Sequence, residues 1–234
     1  MYGKIYIIPT TLGDVCIGNS IPQRTIDVTR DIRHFIVEDI RTARRYLSKL
    51  KLPVKIDELT FLKLNEHTKP EEISSLLVPV LEGNDVGIIS DAGVPCVADP
   101  GAAVIAYAHS KNIQIVPLVG PSSILLALMA AGMNGQNFAF AGYLPIKEHE
   151  RCQRIQFLEK RSKQESQTQI FIEAPYRNMQ LFKSFMSACN PSTMLCIAAN
   201  ITLDDEFIKT RSIADWKKQQ PDINKKPCIF ILQG

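Results

Sequence analysis

The sequence predicts an α/β protein made of two α/β domains, residues 1–118 and 119–234. Three observations carry the prediction. Short apolar segments rich in β-branched residues alternate with stretches of helical apolar spacing, the pattern of a mostly parallel sheet covered by helices. The alternation restarts after Pro117, at Gly120-Pro-Ser-Ser123. A chain of 234 residues that is 45% hydrophobic can also fill a core in each of two domains.

Residues 4–8, 34–37, 59–62, 85–89 and 113–117 read as the buried strands of the first domain. In the helix after the second strand, Ile40, Ala43, Leu47 and Leu50 recur at core spacing, and Arg41, Arg45 and Lys49 line a solvent face. In the second domain, Gly120-Pro-Ser-Ser123 forms a loop and cap that opens an apolar helix over 124–131. A strand at 138–141, an exposed polar helix at 148–163, and strands at 169–172, 194–199 and 228–232 follow.

Composition excludes several classes. The longest apolar run, 124–131, is too short to span a membrane, and the chain enters its first strand without a signal-peptide core, so a cytoplasmic protein is expected. Six cysteines and four histidines show no metal-ligand spacing, so no metal site is expected and the thiols read as small buried hydrophobes. A net charge of +3 neither demands nor excludes nucleic acid.

The chemistry-bearing segments fall at strand ends. Residues 88–101, Ile-Ile-Ser-Asp-Ala-Gly-Val-Pro-Cys-Val-Ala-Asp-Pro-Gly, leave an apolar strand for a stiff polar loop in which Asp91 and Asp99 offer acceptors or a cap and Gly93 permits close backbone approach. Pro9-Thr-Thr-Leu-Gly-Asp14 emerges at the same sheet edge, without the glycine spacing of a dinucleotide or phosphate-binding loop. In Val37-Glu-Asp-Ile-Arg41, Asp39 reads either as a helix cap or as a functional acid. Asn65-Glu-His67 offers a base or a surface pair. In Ile172-Glu-Ala-Pro-Tyr-Arg177, Glu173 needs either a ligand or an ion-pair partner, and the basic residues of the polar helix, among them Lys147 and Arg151, read as a phosphate grip or a solvated face.

In order, IYIIPTTLGD, VEDIRTARRYL, IISDAGVPCVADPG, VPLVGPSS, FAGYLP, IFIEAPYRN and PCIFILQG resemble the tetrapyrrole methylase superfamily over nearly the whole chain. The strongest likeness is to the branch that methylates a ribose 2′-hydroxyl of small-subunit ribosomal RNA with S-adenosylmethionine. The resemblance implies two α/β domains with the cofactor in the cleft between them, a homodimer, and the small ribosomal subunit or its RNA as partner. It further implies cofactor contacts from Pro9, Leu12, Asp91, Gly93, Val94, Ser122, Ser123, Ala198 and Pro227. Asp39, Arg41, Glu66, Lys147 and Arg177 would face substrate, and Glu38, His67 and Glu173, in that order, are the candidate bases for the ribose hydroxyl.

Two departures stand out. Where the RNA branch carries Arg-Glu-Leu-Thr-Lys, this chain reads Asn200-Ile-Thr-Leu-Asp-Asp-Glu206, and the sequence stops at Gly234, before the branch's C-terminal helical extension. They keep two alternatives open: a methyltransferase acting on a tetrapyrrole or another small molecule, and a non-catalytic relative that binds cofactor or RNA. The SDAGVP loop, in place of the GDP-type loops of the tetrapyrrole enzymes, weighs against the first.

Overall fold

The computed structural model describes residues 2–65 and 67–234. The chain divides into two compact units, Met1–Ser122 and Ser123–Gly234. The division falls four residues beyond the expected 118/119 boundary. Residues 119–122 are tied back to the first unit, where Val119 accepts a hydrogen bond from Thr25 Oγ1 (2.8 Å) and Gly120 packs on Pro9 so tightly that a Cβ would sit 2.2 Å from the proline ring.

Unit one runs β1 (Ile5–Ile7), α1 (Gln23–Asp31), β2 (His34–Val37), α2 (Ile40–Lys49), β3 (Thr60–Lys63), α3 (Ile73–Leu76), α4 (Val78–Leu81), β4 (Val86–Ile89), α5 (Gly101–Ser110) and β5 (Ile115–Pro117). Its strands form one parallel sheet in the order β3-β2-β4-β1-β5. Period-two alternation divides the apolar side chains between the faces. Phe35, Val37 and Ile89 join the cluster around Leu47 and Leu50, whereas Ile36, Val86 and Ile88 join that around Val104 and Leu77. Each fully buried side chain of this size contributes roughly 1.5–3 kcal/mol. One expected core residue is not in the core: Ile40 opens α2 and is exposed, and Tyr46 takes the buried place on that helix.

Unit two runs α6 (Ser123–Ala131), β6 (Phe138–Gly142), α7 (Glu148–Glu165), β7 (Thr168–Ile172), α8 (Asn178–Ala188), β8 (Met194–Ala199), β9 (Phe207–Ser212), α9 (Ile213–Trp216) and β10 (Cys228–Gln233). Its sheet, ordered β6-β7-β10-β8-β9, is mixed: only β6 and β7 pair in parallel, so the mostly parallel expectation holds for unit one alone. The short turns β8–β9 and the return of β10 between β7 and β8 need no helical crossover, which antiparallel pairing permits. Its core is aromatic, with Phe171, Phe182, Phe185, Trp216 and Phe230 in one cluster and the indole N–H of Trp216 donating to Leu195 O at 2.8 Å.

The polar helix α7 is not exposed throughout. Arg151 is buried, donating to Ser184 Oγ on α8 (2.8 Å) and to the carbonyls of Pro145 and Ile146, and buried Glu159 accepts from Asn190 and Thr193. Arg151 is therefore a clamp between helices, not a member of a solvated phosphate-binding face. Among the described residues, no helix is long and apolar enough to cross a membrane.

Candidate active site

Because every strand of unit one runs the same way, their carboxyl ends emerge on one edge, where open α/β sheets bind ligands. The order β2-β4-β1 sets the loops after these strands side by side. Thr10 N donates to Gly93 O at 2.9 Å, joining the loop after β1 to that after β4, and Asp91 N donates to Glu38 Oε2 at 3.3 Å, joining the latter to the end of β2. Tyr46 of α2 fixes the base of the assembly by donating its hydroxyl to Pro9 O at 3.0 Å. On the other side, Pro121 O lies 3.4 Å from where a Cβ of Gly93 would be, which brings the segment after β5 against the same loop.

Gly93 has φ +74°, and a Cβ there would stand 2.9 Å from Leu12 Cδ2, so the backbone surface it presents depends on having no side chain. Cys96 and Ala98 of the same loop also hold positive φ, 68° and 62°, each at a cost of roughly 1–2 kcal/mol. Asp99 over-determines this shape by accepting from Cys96 N and Gly101 N, both at 2.8 Å, the latter the first backbone N–H of α5. Thr10, Leu12, Asp91 and Ala92 line a cavity of about 240 Å3, closed on the α2 side by Thr42, Arg45 and Tyr46. Thr10 is almost wholly buried, yet its hydroxyl has no hydrogen-bond partner among the described residues.

Burial raises the Glu38 carboxyl above its ordinary range, the N–H of Asp91 partly opposes this, and the charges of Asp99 and Asp91 add to it. Asp91 is raised too, by burial and by the charge of Asp39. Asp39 is lowered, first by the hydrogen bond from Thr42 N (2.7 Å), because it is the N-cap of α2. Burial pushes the Cys96 thiol up to about 12, which leaves no thiolate at neutral pH.

In unit two, Glu173, Arg177, Ala198 and Pro227 gather at one end of the sheet. The register Ile229↔Ile172 and Cys228↔Ala199 sets the end of β7, the end of β8 and the start of β10 level, and Asn200 N donates to Pro227 O at 3.0 Å. Glu173 is buried and ion-paired with Arg177 at 2.6 Å, and its Oε1 also accepts from Ala174 N. The buried Nε of Arg177 has no partner among the described residues, and the guanidinium lies 5.7 Å from the exposed Tyr176 ring. Ala198 is fully buried between β9 and β10. Lys147 is exposed before α7 and pairs with Glu150 at 3.2 Å. The segment that departs from the RNA branch folds on itself: Asn200 Nδ2 donates to Asp205 Oδ2 and Thr202 N to Glu206 Oε2, at 2.8 and 2.7 Å.

The sequence-predicted residues thus fall into two groups: Pro9, Leu12, Glu38, Asp39, Asp91, Gly93, Val94 and Ser122 at the carboxyl edge of unit one, and Glu173, Arg177, Ala198 and Pro227 at one sheet end of unit two. Ser123 begins α6 and Arg41 sits in the first turn of α2. His67 follows the edge strand β3, its backbone N–H held by Asn65 Oδ1 at 2.9 Å, so β2 separates its strand from that of Asp91. Glu66 lies outside the described residues. The hydroxyl of Thr10 lies at the sheet edge where the sequence places it, and Tyr46 is the addition that the sequence pattern did not single out. The available signal was a tyrosine at core spacing on α2, whose polar tip needs a buried acceptor.

No family model matches the chain. It is 27% identical over 233 residues to a ribosomal RNA small subunit methyltransferase I from Vibrio cholerae, covering 98% of this chain and 77% of that protein. Among solved structures, the methyltransferase CobJ superposes with a TM-score of 0.67 at 14% identity, over 99% of this chain and 94% of that one. A uroporphyrin-III C-methyltransferase from Thermus thermophilus, solved with S-adenosylhomocysteine, superposes with a TM-score of 0.59 at 13% identity, over 99% and 97%. The chain has the fold of the tetrapyrrole methyltransferases and is, with these relatives, a methyltransferase. Proteins named as small-subunit ribosomal RNA methyltransferases I are similar to it along nearly its whole length.

Proposed function

We propose that this chain transfers a methyl group from S-adenosylmethionine to a ribose 2′-hydroxyl of small-subunit ribosomal RNA, as a cytoplasmic homodimer. One observation carries the reading. In a chain similar over its whole length to such RNA methyltransferases, a carboxylate with a raised pKa, Glu38, is held within hydrogen-bond reach of the Asp91–Gly93 loop.

The residues present fit the cofactor. The unpartnered buried hydroxyl of Thr10 can take a polar ligand atom, and Gly93, where a Cβ would meet Leu12, lets the loops after β1 and β4 close on each other beside it. Pro9, Leu12, Asp91, Gly93, Val94 and Ser122 would hold the cofactor at the carboxyl edge of unit one. When bound, S-adenosylmethionine supplies an electrophilic methyl group on a sulfonium sulfur. The chain orients the acceptor and removes a proton. Glu38, more basic than an ordinary carboxylate, accepts the proton of the 2′-hydroxyl, a contribution of typically about 10²–10⁴-fold. Glu173 is less suited, since its ion pair with Arg177 occupies it. Arg41, Lys147 and Arg177 present cations to the RNA backbone, and Asp39 caps α2.

The test is transfer of labelled methyl from cofactor to purified small subunits, with ribose-methylation mapping in cells with and without the gene. A single ribose site that depends on the gene, and loss of transfer in Asp91→Ala, are expected. If no ribosomal RNA is labelled, the reading fails. Absorbance change in a porphyrin-type substrate would instead favour a tetrapyrrole acceptor.

A further inference from the structure

The outer face of α2 breaks three local rules at once. Arg41, Arg45 and Lys49 stand at i, i+4 and i+8, about 6 Å apart along the axis, where like charges repel. Residues 40–49 include no acid, and the acids near these cations are the N-cap Asp39 beside Arg41 and Asp14, which pairs with Lys49. Arg41 lies in the first turn, where the helix dipole disfavours a cation. Just beyond the helix, Lys51 holds φ +53°, the left-handed position that glycine occupies without strain. A sequence that keeps unfavourable choices on one exposed face is being selected there for something other than the fold.

Charge accounting singles out the same face. Arg44 is neutralised by Asp57 and lies over Phe61 at 5.9 Å, and Lys49 pairs with Asp14. Arg41, Arg45 and Lys51 have no ion-pair partner among the described residues. Helix α7, comparably rich in cations, differs: its charges are interleaved with glutamates, as in the pairs Lys147–Glu150 and Arg161–Glu165. The α2 cations also border a continuous depression. The cavity of about 240 Å3 that contains Thr10 and Asp91 is flanked by Arg45 and Lys49, and a second, of about 670 Å3, is flanked by Lys49, Lys51 and Arg30. The two adjoin at Asp14 and Lys49, so a groove flanked by cations follows α2 from the Asp91 loop to Lys51, with Arg41 on the same helix face beyond its lining.

We infer that this groove is a phosphate track: the RNA backbone flanking the methylated nucleotide lies along α2, its phosphates met by Arg41, Arg45 and Lys51. The inference rests on the RNA reading above and adds to it the surface that grips the polymer. Contacts to phosphate position a nucleic acid without reading its sequence, and each displaces counterions, so the track is visible in salt dependence.

The experiment is fluorescence anisotropy with a labelled fragment of small-subunit ribosomal RNA across a potassium chloride series, with KM and kcat for methyl transfer measured alongside. Arg45→Gln and Lys51→Gly should each weaken RNA binding up to about fivefold and lower the slope of log K against log salt by about one. In Lys51→Gly, which lies outside the cavity containing Thr10, KM for RNA should rise with kcat little changed. Arg44→Gln, which removes a neutralised cation of the same helix, should behave as wild type. Lys51→Gly keeps the test independent of folding, because it relieves the left-handed strain: its melting temperature should rise while its RNA affinity falls. Unchanged affinity and slope in the Arg45→Gln/Lys51→Gly double variant, or an equal loss in Arg44→Gln, would overturn the track. If wild type binds RNA through these residues but transfers no methyl group, the track stands and the proposed activity falls. If the double variant methylates RNA with wild-type KM and salt slope, the activity stands and the track falls. Absence of any RNA binding by wild type removes both.

Discussion

At the residue scale, Glu38 joins function to a cost in stability. Its folded-state carboxyl titrates above the ordinary value of 4.5, so folding favours the protonated form. Whatever stability Glu38 contributes is therefore present below about pH 4.5 and is lost as pH rises through the folded-state value. Glu38→Gln should abolish most methyl transfer while making the protein more resistant to urea at pH 7 than at pH 4, relative to wild type; equal effects at both pH values would remove the burial argument. Transfer by wild type should rise with pH across the same window. Glu173 makes the contrasting case. Its removal leaves the half-buried Arg177 without its counter-charge, so Glu173→Ala should cost about 3 kcal/mol in chemical denaturation. A Glu173→Gln variant that kept full stability but lost all transfer would mean that Glu173, and not Glu38, is the base.

At the element scale, the loop after β4 is built by backbone conformation more than by charge. Gly93→Ala should cost roughly 1–2 kcal/mol for the left-handed φ and push Leu12 aside. Calorimetry should then show at least tenfold weaker S-adenosylhomocysteine binding by a folded protein; unchanged affinity would place the cofactor elsewhere. This loop was legible in the sequence because Gly93, Asp99 and the apolar run before them are strong local signals. Strand β9 was not. Phe207-Ile-Lys-Thr-Arg-Ser212 is a half-buried edge strand with no clean alternation, and it exists because β8 offers it a full antiparallel register. Residues 73–81 likewise break into two short helices around Leu77, with Pro79 near the start of the second, which no long period announces.

At the scale of the whole molecule, each unit has its own core, and unit two depends on its aromatic cluster. Trp216→Ala should cost about 3–5 kcal/mol, since it empties a site packed by Phe182 and Phe207 and frees Leu195 O. Thermal unfolding with fluorescence detection would check it, and a loss below 1 kcal/mol would mean that the cluster repacks. Sedimentation of the purified protein should give the mass of two chains; a single-chain mass would end the homodimer proposal.

The sequence by itself determined the α/β class, nearly every strand, the loops at the strand ends and the superfamily they resemble, because these rest on local signals: periodicity, turn residues and motif order. Only the tertiary structure decided that unit two is a mixed sheet, that Arg151 clamps two helices, that Asp39 is a cap, that Glu173 is occupied by Arg177, and that Tyr46 belongs with Glu38 and Gly93. Each of those depends on which distant group a side chain meets and on how far burial shifts its charge, and neither is written in the spacing of residues along a chain.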